Sequence, residues 1–190
     1  MATPDRTYAD YPKPATMTAD HTGLRLTEML SLEWANVDLE RTIFTVTDET
    51  TKSSKQRHIP INCDLLAVLI AWKAQAHKRY VFADIHGKPL KRIQAWNSLR
   101  AAAELADFRW HDFRHDFASR LVMAGVALNT VRDLLGHADL KMTLRYAHLS
   151  PDCRAAAVEM LCSTPTQPVP PAQPVQHSAS AHEDHYSMAA

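Results

Sequence analysis

The stretch Trp110–Leu121, WHDFRHDFASRL, decides how this 190-residue chain is read. Two motifs overlap in it. His111 and His115 lie four apart, on one face of a helix, with an acid after the first. That is how zinc hydrolases present two imidazoles to one metal. The same stretch pairs His111 with Arg114 at i, i+3, an arrangement suited to a phosphate. The metal reading fits badly. The hydrolase motif places Glu after the first histidine, and here Asp112 is one methylene shorter. No third ligand follows at the usual spacing, and the guanidinium of Arg114 would repel a dication. The phosphate reading is therefore carried forward, with no metal expected.

The rest of the chain agrees with a phosphate-binding surface. A formal net charge of zero conceals an uneven distribution. Residues 1–51 carry 4 Lys/Arg against 9 Asp/Glu, residues 52–120 carry 13 against 6, and residues 121–190 carry 4 against 6. The local sums are −5, +7 and −2, so the basic charge is concentrated around the opening stretch. Hydrophobic and charged fractions of 46% and 22% suit a soluble globular protein. No apolar run approaches the ~20 residues that span a bilayer. The start has prolines and charges where a signal peptide has an apolar segment, so the cytoplasm is expected. Cys63, Cys153 and Cys162 are scattered, as suits a reducing compartment.

Composition divides the chain into an irregular leader (1–21), a foldable part (22–162) and a Pro/Gln/Ser/Ala-rich tail (163–190) expected to be disordered. Within the foldable part, Gly23 is a breaker before the helical spacing of Leu24, Leu26, Met29 and Leu30. Thr42–Thr47 and Arg57–Ile61 alternate as a β-hairpin with a basic tip. Helices are expected in CDLLAVLIAWKAQAHKR, LKRIQAWNSLRAAAELA and HDFRHDFASRLVMAG. Three more are expected in NTVRDLLG, LKMTLRYAHLS and PDCRAAAVEMLC, with Gly125 and Gly136 as stops. The fold class is α+β, mostly helical, with one small antiparallel sheet.

Four stretches now stand in a significant order: TGLRLTEMLSLEW, TKSSKQRHIPI, HDFRHDFAS and LLGHADLKMTLRYAHL. Together they resemble the catalytic domain of the tyrosine recombinase (phage integrase) family over about residues 22–160. The resemblance implies a catalytic set of Arg25, Lys52, His111, Arg114, His137 and Tyr146, with Lys55 close enough to Lys52 to leave the lysine open. It implies site-specific recombination or integration of double-stranded DNA, as by a mobile-element integrase, through a 3′-phosphotyrosine intermediate. It also implies a tetramer on DNA, with no membrane and no cofactor. Attack on phosphorus gathers negative charge on the non-bridging oxygens, which Arg25 and Arg114 would clamp. A phenol ionises near pH 10 and must lose its proton during attack, and the resemblance gives that proton to His111. Lys52 would protonate the leaving oxygen, and His137 would bond a phosphate oxygen. Glu28 would orient an arginine. His115 is expected to pack or hydrogen-bond within its own helix.

The chain also departs from the family. Only 24 residues precede Arg25, where the family carries a DNA-clamping domain and one or two further helices. The domain is therefore expected to be incomplete at its N-terminus. Ala127 stands where a capping Asp is usual, and Ala138 where Ser is common. Two functions stay open: a strand-exchange enzyme, or an inactive remnant with at most weak DNA binding. PDCRAAAVEMLC would be the family's C-terminal exchange segment, docked in cis or in trans.

Overall fold

The computed structural model describes residues 10–47, 56–152 and 158. Lys52 and Lys55, the segment PDCRAAAVEMLC apart from Pro151, Asp152 and Val158, and the whole tail lie outside the described residues. One compact unit ends at Pro151 and a second begins at Asp152. The architecture below is that of the first unit.

The first described helix is α1 (Pro12–Thr22), where composition alone predicts an irregular leader. Proline opens this helix, where its missing N–H is no loss. Its buried face consists of Pro14, Ala15, Thr18, Ala19 and Thr22. Small residues give little apolar periodicity, yet they let α1 pack closely on its neighbours. The contacts run to α3 (Cys63–Lys73) and α5 (Asp112–Met123). Arg120 on α5 donates to the Asp20 carbonyl at 2.8 Å and to its carboxylate at 2.7 Å. Gly23 closes α1 at φ +61°, and a Cβ there would lie 2.5 Å from the Phe117 ring.

After α2 (Leu26–Leu30) come three antiparallel strands in the order β1 (Val37–Asp38), β2 (Ile43–Thr47), β3 (Gln56–Pro60). Phe44 pairs with Ile59 and Val46 with Arg57. Burial alternates along both long strands, so Phe44, Val46, Arg57 and Ile59 point inward. The small sheet and the surrounding helices bear out the mostly helical α+β expectation. Asn62 caps α3 by accepting from the Leu65 amide at 3.0 Å.

Three expected helices are shorter than predicted, and the first of them, α3, stops at Lys73 although CDLLAVLIAWKAQAHKR runs on to Arg79. α4 covers only Trp96–Ala102. Upstream of it the Leu90 amide donates to the Phe82 carbonyl at 3.0 Å, and Ala83 pairs with Pro89, so this backbone is committed to a bridge. The helix expected in LKMTLRYAHLS breaks into α7 (Lys141–Leu144) and a 3-10 turn (Ala147–Leu149), with Tyr146 at the joint. Between α5 and α7, α6 (Leu128–Leu135) ends at Gly136 with φ +67°.

The apolar interior forms two clusters. The larger joins α1, α2, the sheet and α3 around Met29, Phe44, Leu65 and Phe82. The smaller joins α5 and α6 around Ala118, Val122, Val131 and Leu135, and it includes Tyr146.

Candidate active site

The site grows from the N-terminus of α2. Arg25 is extended there and begins the helix, and Glu28, three residues on, turns back to it. Glu28 accepts from the Arg25 amide and from its Nη1, each at 2.8 Å. Arg57 reaches the same carboxylate from the hairpin with a two-pronged contact, Nη1 at 3.1 Å and Nη2 at 2.7 Å. Both partners of that pair have side chains only 9% exposed. Burial would raise the Glu28 pKa, but the hydrogen bonds and charges of Arg57 and Arg25 hold it below the usual carboxylate range. Glu28 thus stays ionised, and its role in orienting an arginine extends to two of them.

Arg57 is the site residue that sequence reasoning missed. A signal was present in RHIPI, where alternation gives Arg57 the inward register of Ile59. A guanidinium at an inward position requires a buried acid. Its Nε also donates to the Leu134 carbonyl at 3.1 Å. Gly136 lies against it, and a Cβ at that position would be 2.8 Å from Nη1.

Among the described residues Arg114 is the most enclosed cation, at 4% exposure. Its Nη1 donates to the Gly23 carbonyl and its Nη2 to the Leu135 carbonyl, both at 2.6 Å. One side chain thereby ties the end of α1 to the end of α6. Burial and the charge of Arg25 lower its pKa to about 10, so it remains charged at neutral pH. The remaining N–H groups of its fork are available to a ligand.

His137 follows Gly136, and its Nδ1 lies 2.9 Å from Thr143 Oγ1. Burial, with Arg114, Arg25, Arg145 and Arg57 beside it, lowers its pKa to about 4. A neutral imidazole is thus held among four guanidinium groups, an environment suited to an anion. Tyr146 is 6% exposed. Burial raises its pKa, while Arg145 and Arg114 pull it down. Its Oη lies 2.6 Å from Nδ1 of His115. The His115 side chain therefore reaches across to the joint after α7 instead of hydrogen-bonding within its own helix. His111 immediately precedes α5, edge-on to His115 with centroids 4.8 Å apart. Burial, His115 and Arg114 lower its pKa.

Five of the six predicted residues, Arg25, His111, Arg114, His137 and Tyr146, thus lie within one electrostatic neighbourhood. The sixth, Lys52, lies outside the described residues. The nucleophile candidate is a tyrosine, and the groups around it are oxyanion donors and neutral imidazoles. Such a set of groups can hold an anion and present a hydroxyl beside it.

Comparison with known proteins agrees. The phage integrase family model matches residues 2–152, and the chain belongs to that family. The chain is 31% identical over 144 residues to the integrase of Salmonella phage P22, covering 69% of this chain and 37% of that protein. It is 31% identical over 141 residues to the tyrosine recombinase XerD of Staphylococcus aureus, covering 68% of this chain and 47% of that protein. It therefore spans less than half the length of these two relatives. Among solved structures, the catalytic domain of bacteriophage HP1 integrase superposes with a TM-score of 0.59 at 28% identity, over 78% of this chain and 80% of that one. The Tn1549 transposon integrase in complex with transposon right end DNA shares the fold, with a TM-score of 0.66 at 23% identity over 84% of this chain and 61% of that one. The matched span begins well before α1, so that helix belongs to the family domain.

Proposed function

We propose that this chain binds double-stranded DNA and breaks and rejoins one strand through a 3′-phosphotyrosine link at Tyr146, in site-specific recombination or integration. The observation that carries the reading is the position of Arg114, whose buried charge acts on Arg25, on His137 and on the buried Tyr146 alike. Tyr146 Oη attacks phosphorus, and the bond to the 5′-oxygen breaks. Arg25 and Arg114 hold the non-bridging oxygens as charge builds there. His137 has Nδ1 committed to Thr143 and offers Nε2 to a phosphate oxygen. Lys52, or its neighbour Lys55, protonates the leaving oxygen from the hairpin tip. His111 stands beside the site, next to Arg114. The bond energy is kept in the phosphotyrosine link, so rejoining needs no nucleotide cofactor. The chain acts in the cytoplasm as a homotetramer on paired DNA sites. No helix among the described residues is long and apolar enough to cross a membrane.

Covalent trapping on nicked duplexes with a randomised core is the test. The expected result is a protein–DNA adduct that survives denaturation and is lost in Tyr146→Phe. DNA retention with no adduct would leave the remnant reading in place of this one.

A further inference from the structure

We infer that His115 takes the phenolic proton of Tyr146 as that oxygen attacks phosphorus, an inference that rests on the strand-breaking reading above. The part that the family resemblance gives to His111 thereby passes one helical turn along α5, to the imidazole that touches the reacting atom.

The geometry is specific. Nδ1 of His115 lies 2.6 Å from Tyr146 Oη, a short O–H to nitrogen hydrogen bond. Among the described residues it is the hydrogen-bond partner that Oη has. At 6% exposure the tyrosine has little solvent to offer another. A buried hydroxyl proton requires an acceptor, so the phenol donates and Nδ1 receives. That fixes the neutral tautomer with its hydrogen on Nε2. Both partners are held by backbone. The Tyr146 amide donates to the Thr143 carbonyl at 3.0 Å, and its carbonyl accepts from Leu149 at 2.9 Å. His115 adjoins Arg114 on α5, so the proton acceptor and the oxyanion clamp share one rigid helix.

The charges around the ring suit the role. Burial and Arg145, on the tyrosine's own side, hold His115 neutral, and Arg109 and Arg114 add to them from its own side. Asp112 acts in the opposite direction, and the edge of the His111 ring closes the cluster. A neutral ring keeps its lone pair at physiological pH. During the step the Oη–P bond forms and the P–O5′ bond breaks. The Oη proton moves to Nδ1, and the leaving oxygen receives its proton from the hairpin lysine. The imidazolium so formed is partly offset by Asp112. In rejoining, the 5′-hydroxyl attacks phosphorus and gives its proton back to the hairpin lysine, the Oη–P bond breaks, and His115 returns the proton to Tyr146 Oη.

The experiment measures single-turnover adduct formation on the same nicked duplexes. His115→Asn places an amide oxygen where it can accept a hydrogen bond but cannot take a proton. A general base contributes about 10²–10⁴-fold, so a loss in that range is expected. The wild-type rate should rise with pH through the His115 titration below 6.5 and then level, and the Asn variant should lack that limb. A second measurement guards against a merely misfolded variant. Fluorotyrosine at position 146 ionises more readily and should recover part of the rate lost in His115→Asn. A wild-type rate in His115→Asn would overturn the inference and leave the strand-breaking reading intact. So would a slow variant that keeps the acid limb and gains nothing from fluorotyrosine. Absence of any wild-type adduct would overturn the strand-breaking reading itself, and the inference with it.

Discussion

The two apolar clusters differ in what they carry. The larger is built on the sheet and four segments around it, and its polar side is the Glu28 carboxylate gripped by two arginines. The smaller has five buried members among the described residues, and one of them is the nucleophile candidate. Arg25 and Arg57 thus stand on a broad foundation, whereas Tyr146 stands on the contact between α5 and α6. Arg114 spans the two through the Gly23 and Leu135 carbonyls. A site divided in this way holds its arginines on the firmer part and lets the tyrosine's surroundings open at lower cost.

The largest effect should come from the shared acid. Glu28→Ala leaves Arg57 buried without its partner, and breaking such a pair costs about 3–5 kcal/mol. Urea unfolding should show this as a lowered midpoint at unchanged slope. The two foundations can then be separated. Leu65→Ala and Leu135→Ala both empty fully buried sites, each at a cost of about 2–5 kcal/mol. They should differ in reach. Leu135→Ala should speed amide exchange at Tyr146 and Leu149 ahead of the sheet, and Leu65→Ala should speed exchange throughout. Equal exchange profiles would dissolve the distinction between the clusters.

Acid should weaken the site from both sides. His137 binds its proton at about pH 4 when folded, against an ordinary value of 6.5. The unfolded chain therefore holds more protons between these values, and stability falls as pH drops through that window. Glu28, with its pKa depressed, adds stability above 4.5 that is lost as pH falls through its folded value. Thermal midpoints from pH 7 to pH 4 should decline, and His137→Asn should flatten the upper part of that decline. A midpoint independent of pH in this range would contradict the neutral His137. The smallest effect concerns α6, whose N-cap, Ala127, makes no side-chain cap bond. Ala127→Asp should add about 1 kcal/mol, read as a raised thermal midpoint.

Much of this was legible in the sequence because its parts are local. The i, i+3 spacing of His111 and Arg114, the hairpin alternation and the glycine that ends NTVRDLLG each need only a few residues. What was missed depends on distant partners. α1 hides its buried face in alanines and threonines, which become a helix face only against α3 and α5. Arg57 means little until Glu28 is opposite it. His115 looked like a helix-packing residue because its partner, Tyr146, is on another element.

Gly136 links several of these parts. Its backbone turns α6 toward His137, and the space where a methyl group would sit is taken by the guanidinium of Arg57. Gly136→Ala would strain the backbone at φ +67° and press a methyl group on that guanidinium. Its first casualty would be the hairpin arginine, then the carboxylate that arginine holds, then Arg25 at the far end of the chain. The position acts as a mechanical stop, setting how near the hairpin and the His137 loop can come. The residue with no side chain sets the reach of one of the longest.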